Sequence, residues 1–188
     1  MANRRDALRL LAGAAGLLAL PRQAWASRSL AVGLPQLIAH SDRVALVTSQ
    51  GGESDWEVIG DRRRIVTYTR VRVDDLVTGE GSDGQLVVRT LGGRVGQIGQ
   101  VVHGEARLLR GQPCLVFLRE PEPGVHRVTA RAQGHFPIRP DARGVGRLHP
   151  SPHRAEVVDD EQSAARKLLG RSVPEAKTLI LRVKHDGH

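Results

Sequence analysis

The sequence is poor in cysteine and in aromatic residues. Its 188 residues contain one cysteine, two tryptophans, one tyrosine and two phenylalanines. A single cysteine excludes an intrachain disulfide, which small exported domains often use to reinforce a limited core. The scarcity of aromatic rings argues against a single-stranded nucleic-acid platform, because bases stack on such rings. The formal net charge of +8 is a mild excess for this length, so we expect no nucleic-acid partner.

The single cysteine, Cys114, lies in the apolar run Pro113–Leu118, which has the character of a strand. A nucleophilic or redox-active thiol needs a neighbouring group that lowers its pKa. No histidine or acid lies in a neighbouring turn that would activate this one. The sequence therefore favours a small buried side chain, which is the usual role of a free cysteine.

The sequence also has no apolar run long enough to cross a membrane. The run Leu10–Leu20 is about eleven residues long and is interrupted by Gly13 and Gly16, whereas a spanning helix needs roughly 20 apolar residues. No later stretch is longer and as apolar. We therefore expect that the mature chain is not an integral membrane protein.

The first 26 residues have the three regions of a signal peptide in order: a basic start, an apolar run and a small-x-small cleavage site. The start resembles the twin-arginine signal pattern through Arg4, Arg5, Leu8 and Arg9. The cleavage site is formed by Ala24 and Ala26, on either side of Trp25. The alternative is an amphipathic first helix, which is disfavoured because the apolar run has no polar face. The resemblance implies export by the twin-arginine translocase and a periplasmic or secreted mature protein.

Beyond the signal, the residue pattern predicts a short helix over Pro35–Ser41 and a series of strands. The most regular strand covers Ile65–Val77, where β-branched residues alternate with Tyr68, Arg70 and Arg72. Gly51–Asp55 has the composition of a loop. The other predicted strands are Arg43–Gln50, Gln85–Leu91, Pro113–Arg119 and Val125–Ala132.

The carboxyl-terminal part has a different composition. Arg139–Pro152 is rich in proline, glycine, arginine and histidine, which predicts a linker or a strapped loop. Asp159–Leu169 is predicted to be a helix, since acidic residues stand at its amino end and Gly170 can end it. Thr178–Val183 is apolar and fits either a strand or the end of a helix. We therefore expect a barrel domain over residues 27–139 and a linker with a helical tail over residues 140–188.

Five short strands with one long early strand predict a mainly β fold, a small antiparallel barrel with a short first helix and one carboxyl-terminal helix. The segments Ala39–Val47, Tyr68–Gly79 and Leu108–Leu118 resemble the corresponding strands of netrin-like and tissue-inhibitor-of-metalloproteinase-like domains. With Ala132–Phe136 after them, they are similar to uncharacterised exported bacterial proteins. The resemblance implies a barrel of the OB type over roughly Leu34–Ile138.

The sequence departs from the inhibitor family at its functional end. Those inhibitors use an amino-terminal cysteine to chelate the zinc of a protease, and disulfides hold that end rigid. Here the mature chain is expected to begin at Ser27, and no cysteine precedes Cys114. No inhibitory residue can be transferred, so a protease-inhibitor-like function of another mechanism stays an alternative that rests on fold alone.

Four histidines near the carboxyl end give a second alternative, a metal-binding protein. His149 and His153 are four residues apart, but Pro150 and Pro152 exclude the helix that would place them on one face. His185 and His188 lie far along the chain, and no carboxylate or cysteine completes a recognisable ligand set. A solvated tail is favoured, and we expect no metal and no other cofactor.

Other motifs do not indicate catalysis. The glycine-rich stretch Gly92–Gly99 is not flanked by a strand and a helix as nucleotide loops are, and it is predicted to be a flexible loop of the barrel. Asp74 and Asp75 are adjacent in a strand, so they point to opposite faces and do not form an acid–base pair. The sequence predicts that the protein is not an enzyme.

Arginines around the long strand are the best candidates for recognition. They are Arg62, Arg63, Arg64, Arg70 and Arg72. Guanidinium groups bind carboxylate and phosphate groups bidentately, so the sequence predicts a binding or interaction module of the bacterial cell envelope. Its partner would be a protein or an anionic envelope component. The alternative is that these arginines only keep the surface soluble.

The signal assignment predicts the fate of the precursor. We expect cleavage after Ala26, which gives a mature protein that begins at Ser27. Replacing Arg4 and Arg5 by lysine should leave uncleaved precursor in the cytoplasm, as shown by fractionation and amino-terminal sequencing. Wild-type amounts of mature protein in the periplasm of this variant would contradict the assignment to the twin-arginine route.

Overall fold

A computed structural model describes residues 29–81, 84–152, 154, 157–158 and 160–187. The predicted signal residues Arg4, Arg5, Leu8, Arg9, Ala24 and Ala26 lie outside these residues, as do His153 and His188. The expectation of a mainly β fold is confirmed. The described strands are β1 Ser29–Leu30, β2 Arg43–Ile59, β3 Arg62–Thr78, β4 Gln85–Leu91, β5 Gly93–Val95, β6 Ile98–Gln100, β7 Pro113–Glu122, β8 Val125–Val128, β9 His135–Pro140, β10 Gly146–Leu148 and β11 Val157–Val158.

Three α-helices accompany the strands. They are α1 Leu34–Ala39, α2 Ala164–Leu168 and α3 Val173–Asp186. Short 3-10 turns cover Arg131–Gly134 and Asp160–Gln162. The helix predicted early in the chain is present, and it begins one residue before Pro35, where proline fits the first turn.

The main sheet has seven strands in the order β10-β9-β7-β2-β3-β4-β8. Most neighbouring pairs are antiparallel, whereas β4 and β8 are parallel, with Val87 opposite Val125. Strand β8 also pairs antiparallel with β7, where Leu118 faces Val128. The sheet is therefore not antiparallel throughout, which differs from the prediction, and β8 has a strand partner on both of its edges.

Strand β2 is much longer than predicted, and the predicted loop Gly51–Asp55 is wrong. All five loop residues pair with β3, and the pairing continues to Ile59 opposite Arg62. A register shift between Ser49 and Gly51 forms a β-bulge, with Gly51 at a φ of 109°. Glycine accepts this conformation without strain, so the glycines that resemble a loop in the sequence bend a continuous strand instead.

Two apolar cores lie on opposite sides of β2 and β7, because side chains alternate along a strand. Cys114, Val116 and Leu118 of β7 join one core, which also contains Val71, Leu86 and Val128. Leu115 and Phe117 join the other core, where the three helices pack. In this second core the rings of Phe117 and Phe136 meet edge to face, with centroids 6.1 Å apart.

The carboxyl-terminal segment is more structured than predicted. Part of the expected linker forms β10, which pairs with β9, and the side chain of Leu148 is buried. The predicted helix over Asp159–Leu169 is shortened to α2, because Ser163 caps it by accepting a hydrogen bond from the Arg166 N–H. The side chains of Ala164, Ala165 and Leu168 are buried in the core that contains the helices.

The described carboxyl-terminal segment contains a second helix, α3, where the sequence predicted only one helix. Thr178–Val183 lies inside α3, whose start is fixed by a capping box between Ser172 and Glu175. Ile180 of this helix is fully buried in the core that contains the helices. The apolar run that fitted either a strand or a helix end is therefore part of a helix, with Ile180 on its buried side and Leu181 about half exposed.

The buried pair His135 and Ser151 predicts a pH dependence of stability. His135 Nδ1 lies 3.0 Å from Ser151 Oγ, and both residues are almost fully buried. Burial lowers the pKa of His135 to about 4. In the unfolded chain the imidazole of His135 has an ordinary pKa near 6.5, so it binds a proton more readily than it does in the folded protein. The contribution of His135 to the free energy of unfolding is therefore fully present above about pH 6.5. It decreases as the pH falls towards 4, by roughly 3 kcal/mol in all.

Urea denaturation between pH 7 and pH 4 tests this dependence. The variant His135→Gln keeps a polar side chain but has no titrating ring, so its free energy of unfolding should change less steeply over this range. Carboxyl groups titrate in both proteins, which makes the difference between the two slopes the informative quantity. Equal slopes would contradict the assignment to His135.

Candidate functional site

The outer face of β2, β3 and β4 carries a polar network that joins the three strands. Arg89 of β4 donates from Nε to Glu57 Oε2 of β2 at 3.1 Å, and its Nη2 donates to the same oxygen. The hydroxyl of Tyr68 on β3 donates to the other carboxylate oxygen of Glu57 at 2.5 Å. Arg89 is buried, so its guanidinium group has lost most of its contact with water. The ion pair with Glu57 offsets the cost of burying this charge.

The network fixes the ionisation states of its members. The hydrogen bond from Arg89 holds the pKa of Glu57 below its usual value, despite partial burial. The hydrogen bond to this carboxylate raises the pKa of the Tyr68 phenol. The same carboxylate raises the pKa of Arg89. These three groups bond to one another, so their role is structural. Neighbouring side chains on the same face are the candidates for ligand binding.

A groove of about 490 Å³ lies beside this network at the bulge of β2. Two arginines flank it: Arg70, opposite Gly51 in the β2–β3 register, and Arg110, from the segment that precedes β7. A Cβ atom on Gly51 would lie 3.4 Å from Arg110 Cδ, so the stem of this arginine passes close to the bulge. The groove is lined by Gln50, Gly51, Gly52, Glu53, Tyr68, Arg70, Val87 and Arg110.

The backbone holds Arg110 against the bulge. The N–H of the next residue, Gly111, donates to the Ser49 carbonyl at 2.7 Å. Arg70 and Arg110 are both exposed, and neither has an ion pair within the described part of the chain. Glu53 is the single acidic residue in the lining. The groove therefore presents two guanidinium groups whose charge-assisted hydrogen bonds are available to an anion.

Only Arg70, of the five arginines singled out in the sequence, lines this groove. Arg62, Arg63 and Arg64 are at the far end of the β2–β3 hairpin, and six residues of strand, or about 20 Å, separate Arg64 from Arg70. Arg63 lies over the ring of Trp56, with its guanidinium carbon 5.2 Å from the ring centroid.

Two of the other predicted arginines have acidic neighbours. Arg72 donates from Nε to Asp74 at 2.7 Å, and Arg62 Nε lies 3.8 Å from the Asp61 carboxylate. The five residues therefore do not form a single patch. The hairpin end and the groove are separate basic regions, and of these two the groove combines a concave surface with guanidinium groups that have no ion pair among the described residues.

Arg110 was not among the site residues predicted from the sequence, and no local sequence pattern distinguishes it as a binding residue. It lies between Leu109 and Gly111, 40 positions from Arg70. Its place in the groove depends on how the segment before β7 folds back onto the bulge, which is a long-range contact. The glycine pair Gly51–Gly52 was the available signal, since glycine inside a strand often marks a bulge or a close approach.

The remaining candidates from the sequence have other surroundings. Cys114 is buried, and burial raises the pKa of its thiol to about 12, which disfavours the thiolate at neutral pH. Among the described residues, no three histidine, cysteine, aspartate or glutamate side chains are grouped to hold a metal ion. His185 is almost fully exposed near the end of α3. Within the same residues, no helix is long and apolar enough to span a membrane.

No protein-family model matches the chain, and comparisons with curated proteins and with solved structures find no significant match.

The polar network predicts which acidic residue on this face supports the fold. Glu57→Ala removes the partner of a buried guanidinium group, so we expect the free energy of unfolding to fall by about 2 kcal/mol. Glu53→Ala is the matched control, since Glu53 lies on the same strand, is exposed and has no ion pair in the described part of the chain. Urea denaturation measures both values. Equal losses in the two variants would contradict the role given to Glu57.

Proposed function

We propose that the protein is an exported, non-enzymatic binding module of the bacterial cell envelope, and that the groove between Arg70 and Arg110 binds carboxylate or phosphate groups. The observation that carries this proposal is the convergence of two unpaired guanidinium groups on one concave surface. The partner is an envelope protein or an anionic envelope polymer. Export through the twin-arginine translocase, and a periplasmic or secreted location, are part of the same proposal.

We further propose that strands β2, β3, β4, β8 and β7 form a barrel of the OB type. Two features of the pairing support this. Each of the five strands pairs with the next in that order, and β7 pairs again with β2. The parallel contact between β4 and β8 is the exception among otherwise antiparallel pairs. The netrin-like resemblance of the sequence implies the same architecture.

This architecture adds support for the position of the site. Barrels of the OB type bind ligands on the face of their second and third strands. The equivalent strands here are β3 and β4, which carry Tyr68, Arg70 and Val87 at the groove. The groove would then lie on the surface that this fold commonly uses for recognition, although the fold alone does not define a ligand.

Charge reversal tests the groove with two defined polyanions, polyglutamate for carboxylates and polyphosphate for phosphates. We expect the mature protein to bind at least one of them with an affinity that falls as salt rises. Arg70→Glu with Arg110→Glu should weaken binding at least tenfold, because each charge-assisted hydrogen bond contributes about 1.5–3 kcal/mol. Isothermal titration calorimetry at several salt concentrations measures both quantities.

Arg64→Glu is the control for this experiment. It makes the same charge change on the same strand, about 20 Å from Arg70. Its affinity should stay within about twofold of the wild type, a difference of roughly 0.4 kcal/mol. An unchanged affinity and salt dependence in the doubly reversed protein would refute the groove as the site. An equal loss in Arg64→Glu would show that total charge, not the groove, determines binding.

A further inference from the structure

The inward-facing side chains of the long strands change character from one end to the other. Val71 on β3 and Val88 on β4 lie in an apolar core. Further along the same faces, hydroxyl side chains take their place, with Thr67 opposite Thr90 in the β3–β4 register. The hydroxyl-bearing residues at this end are Ser54, Thr67, Thr69 and Thr90.

A cavity of about 540 Å³ occupies this hydroxyl-lined end. Its other walls are the β5–β6 hairpin and the segment of residues 101–110, so the expected flexible loop Gly92–Gly99 instead contains a paired hairpin. A Cβ atom on Gly93 would lie 2.3 Å from Thr67 Oγ1 and 2.4 Å from Ser54 Oγ. Glycine is therefore required for the hairpin to close on these hydroxyls. The volume lies within the range of small-molecule sites.

Some polar groups around the cavity are already satisfied. The hydroxyls of Ser54 and Thr67 are 2.8 Å apart, and Thr67 donates to the Gly92 carbonyl at 2.7 Å. These contacts hold the hairpin in place. The groups that could bind a ligand are the remaining ones on the same walls.

The side-chain amide of Gln100 has a hydrogen-bond partner at its oxygen but none at its nitrogen within the described residues. Its Oε1 atom accepts a hydrogen bond from the Ile65 N–H at 3.0 Å, which fixes the orientation of the amide. Its Nε2 atom is buried and has no hydrogen-bond partner within the described residues. A buried donor without an acceptor is costly. Gln100 lines the cavity, so this nitrogen would be satisfied by a ligand acceptor that a small local movement brings within reach.

Three more polar side chains surround this donor. Thr69 and Thr90 are buried, and neither hydroxyl forms a side-chain hydrogen bond in the part of the chain that the structure describes. The Glu105 side chain is about 10 % exposed and lies 3.9 Å from Arg131 Nε. Burial raises the pKa of Glu105 above its usual value, and the carboxyl oxygens can accept hydrogen bonds from a ligand.

The same cavity has apolar surface and a basic rim. Leu91, Val102 and Leu108 contribute apolar walls, and Arg94 and Arg110 are exposed at its boundary. Gly51, Gly52 and Arg110 also line the outer groove, so the bulge of β2 is the wall between the two sites.

We propose that this cavity binds a polyhydroxylated ligand with the size of one or two sugar rings. Such a ligand offers hydroxyl groups that both donate and accept, which matches one amide donor, two threonine hydroxyls and one carboxyl group. Its ring C–H faces fit the apolar walls. This second site shares Gly51, Gly52 and Arg110 with the polyanion groove, but its inner polar groups are its own, and a neutral or an acidic sugar would satisfy the same inner contacts.

The experiment uses the mature protein and two sugar probes, N-acetylglucosamine and glucuronic acid, in separate NMR titrations. We expect saturable shifts of the Gln100 side-chain amide and of the Gly93 and Gly99 backbone amides. Thr90→Val keeps the side-chain shape but removes the hydroxyl, so binding should weaken about fivefold, the effect of one neutral hydrogen bond. Thr90→Ser keeps a hydroxyl and should bind within about twofold of the wild type.

Arg70→Glu separates this site from the groove, because Arg70 lines the groove and not the cavity. Sugar binding should survive this change even where polyanion binding is lost. Tighter binding of glucuronic acid than of N-acetylglucosamine would place an acidic sugar against the basic rim, and equal binding would indicate a neutral one.

The absence of saturable shifts with both probes would overturn the proposal and leave a cavity that holds water. Shifts confined to other parts of the surface would also overturn it, as would unchanged affinity in Thr90→Val. Each of these results leaves the polyanion test of the groove unaffected. Conversely, sugar binding by a protein that binds no polyanion would refute the groove and retain the cavity.

Discussion

The close approach of β2 to β3 at Gly52 is the constraint on which the rest of the structure depends. A Cβ atom at this position would lie 2.6 Å from the Tyr68 carbonyl oxygen and 2.9 Å from Thr69 Cα. The neighbouring Gly51 forms the bulge, at a φ of 109°. Together they let two strands of 17 residues bend without losing their pairing. The outer groove and the inner cavity both arise at this bend.

Charge on the outer face is divided between arginines that support the fold and arginines that are available for recognition. Arg89 is buried and paired with Glu57, so its removal from water is compensated. Arg70 is exposed two strand positions from Tyr68, and no acidic group within the described residues pairs with it. Exposed guanidinium groups lose little hydration free energy in the folded state, which is why the protein can keep two of them unpaired without a large loss of stability.

The sequence predicted those elements whose signal is local. Gln85–Leu91 has the predicted bounds, since a short apolar run with the β-branched residues Val87, Val88 and Thr90 indicates a strand directly. The second half of β2 was missed because glycines and acidic residues have the composition of a loop, and only pairing with β3 makes them a strand. The apolar run Thr178–Val183 was left open as a strand or the end of a helix, because the capping box of Ser172 and Glu175 that starts the helix was not recognised in the sequence. Arg110 depends on a contact across 40 residues, which no local pattern encodes.

The distribution of reactive groups is the physical reason for proposing binding and not catalysis. The thiol of Cys114 is buried with its pKa raised to about 12, and the imidazole of His135 is buried with its pKa lowered to about 4. Catalytic groups need access to a substrate and a pKa near the working pH. The accessible surfaces instead carry guanidinium groups outside the bend, and hydroxyl, amide and carboxyl groups inside it. These groups form reversible hydrogen bonds, which is the physical basis of the binding role proposed for the two sides of the bend.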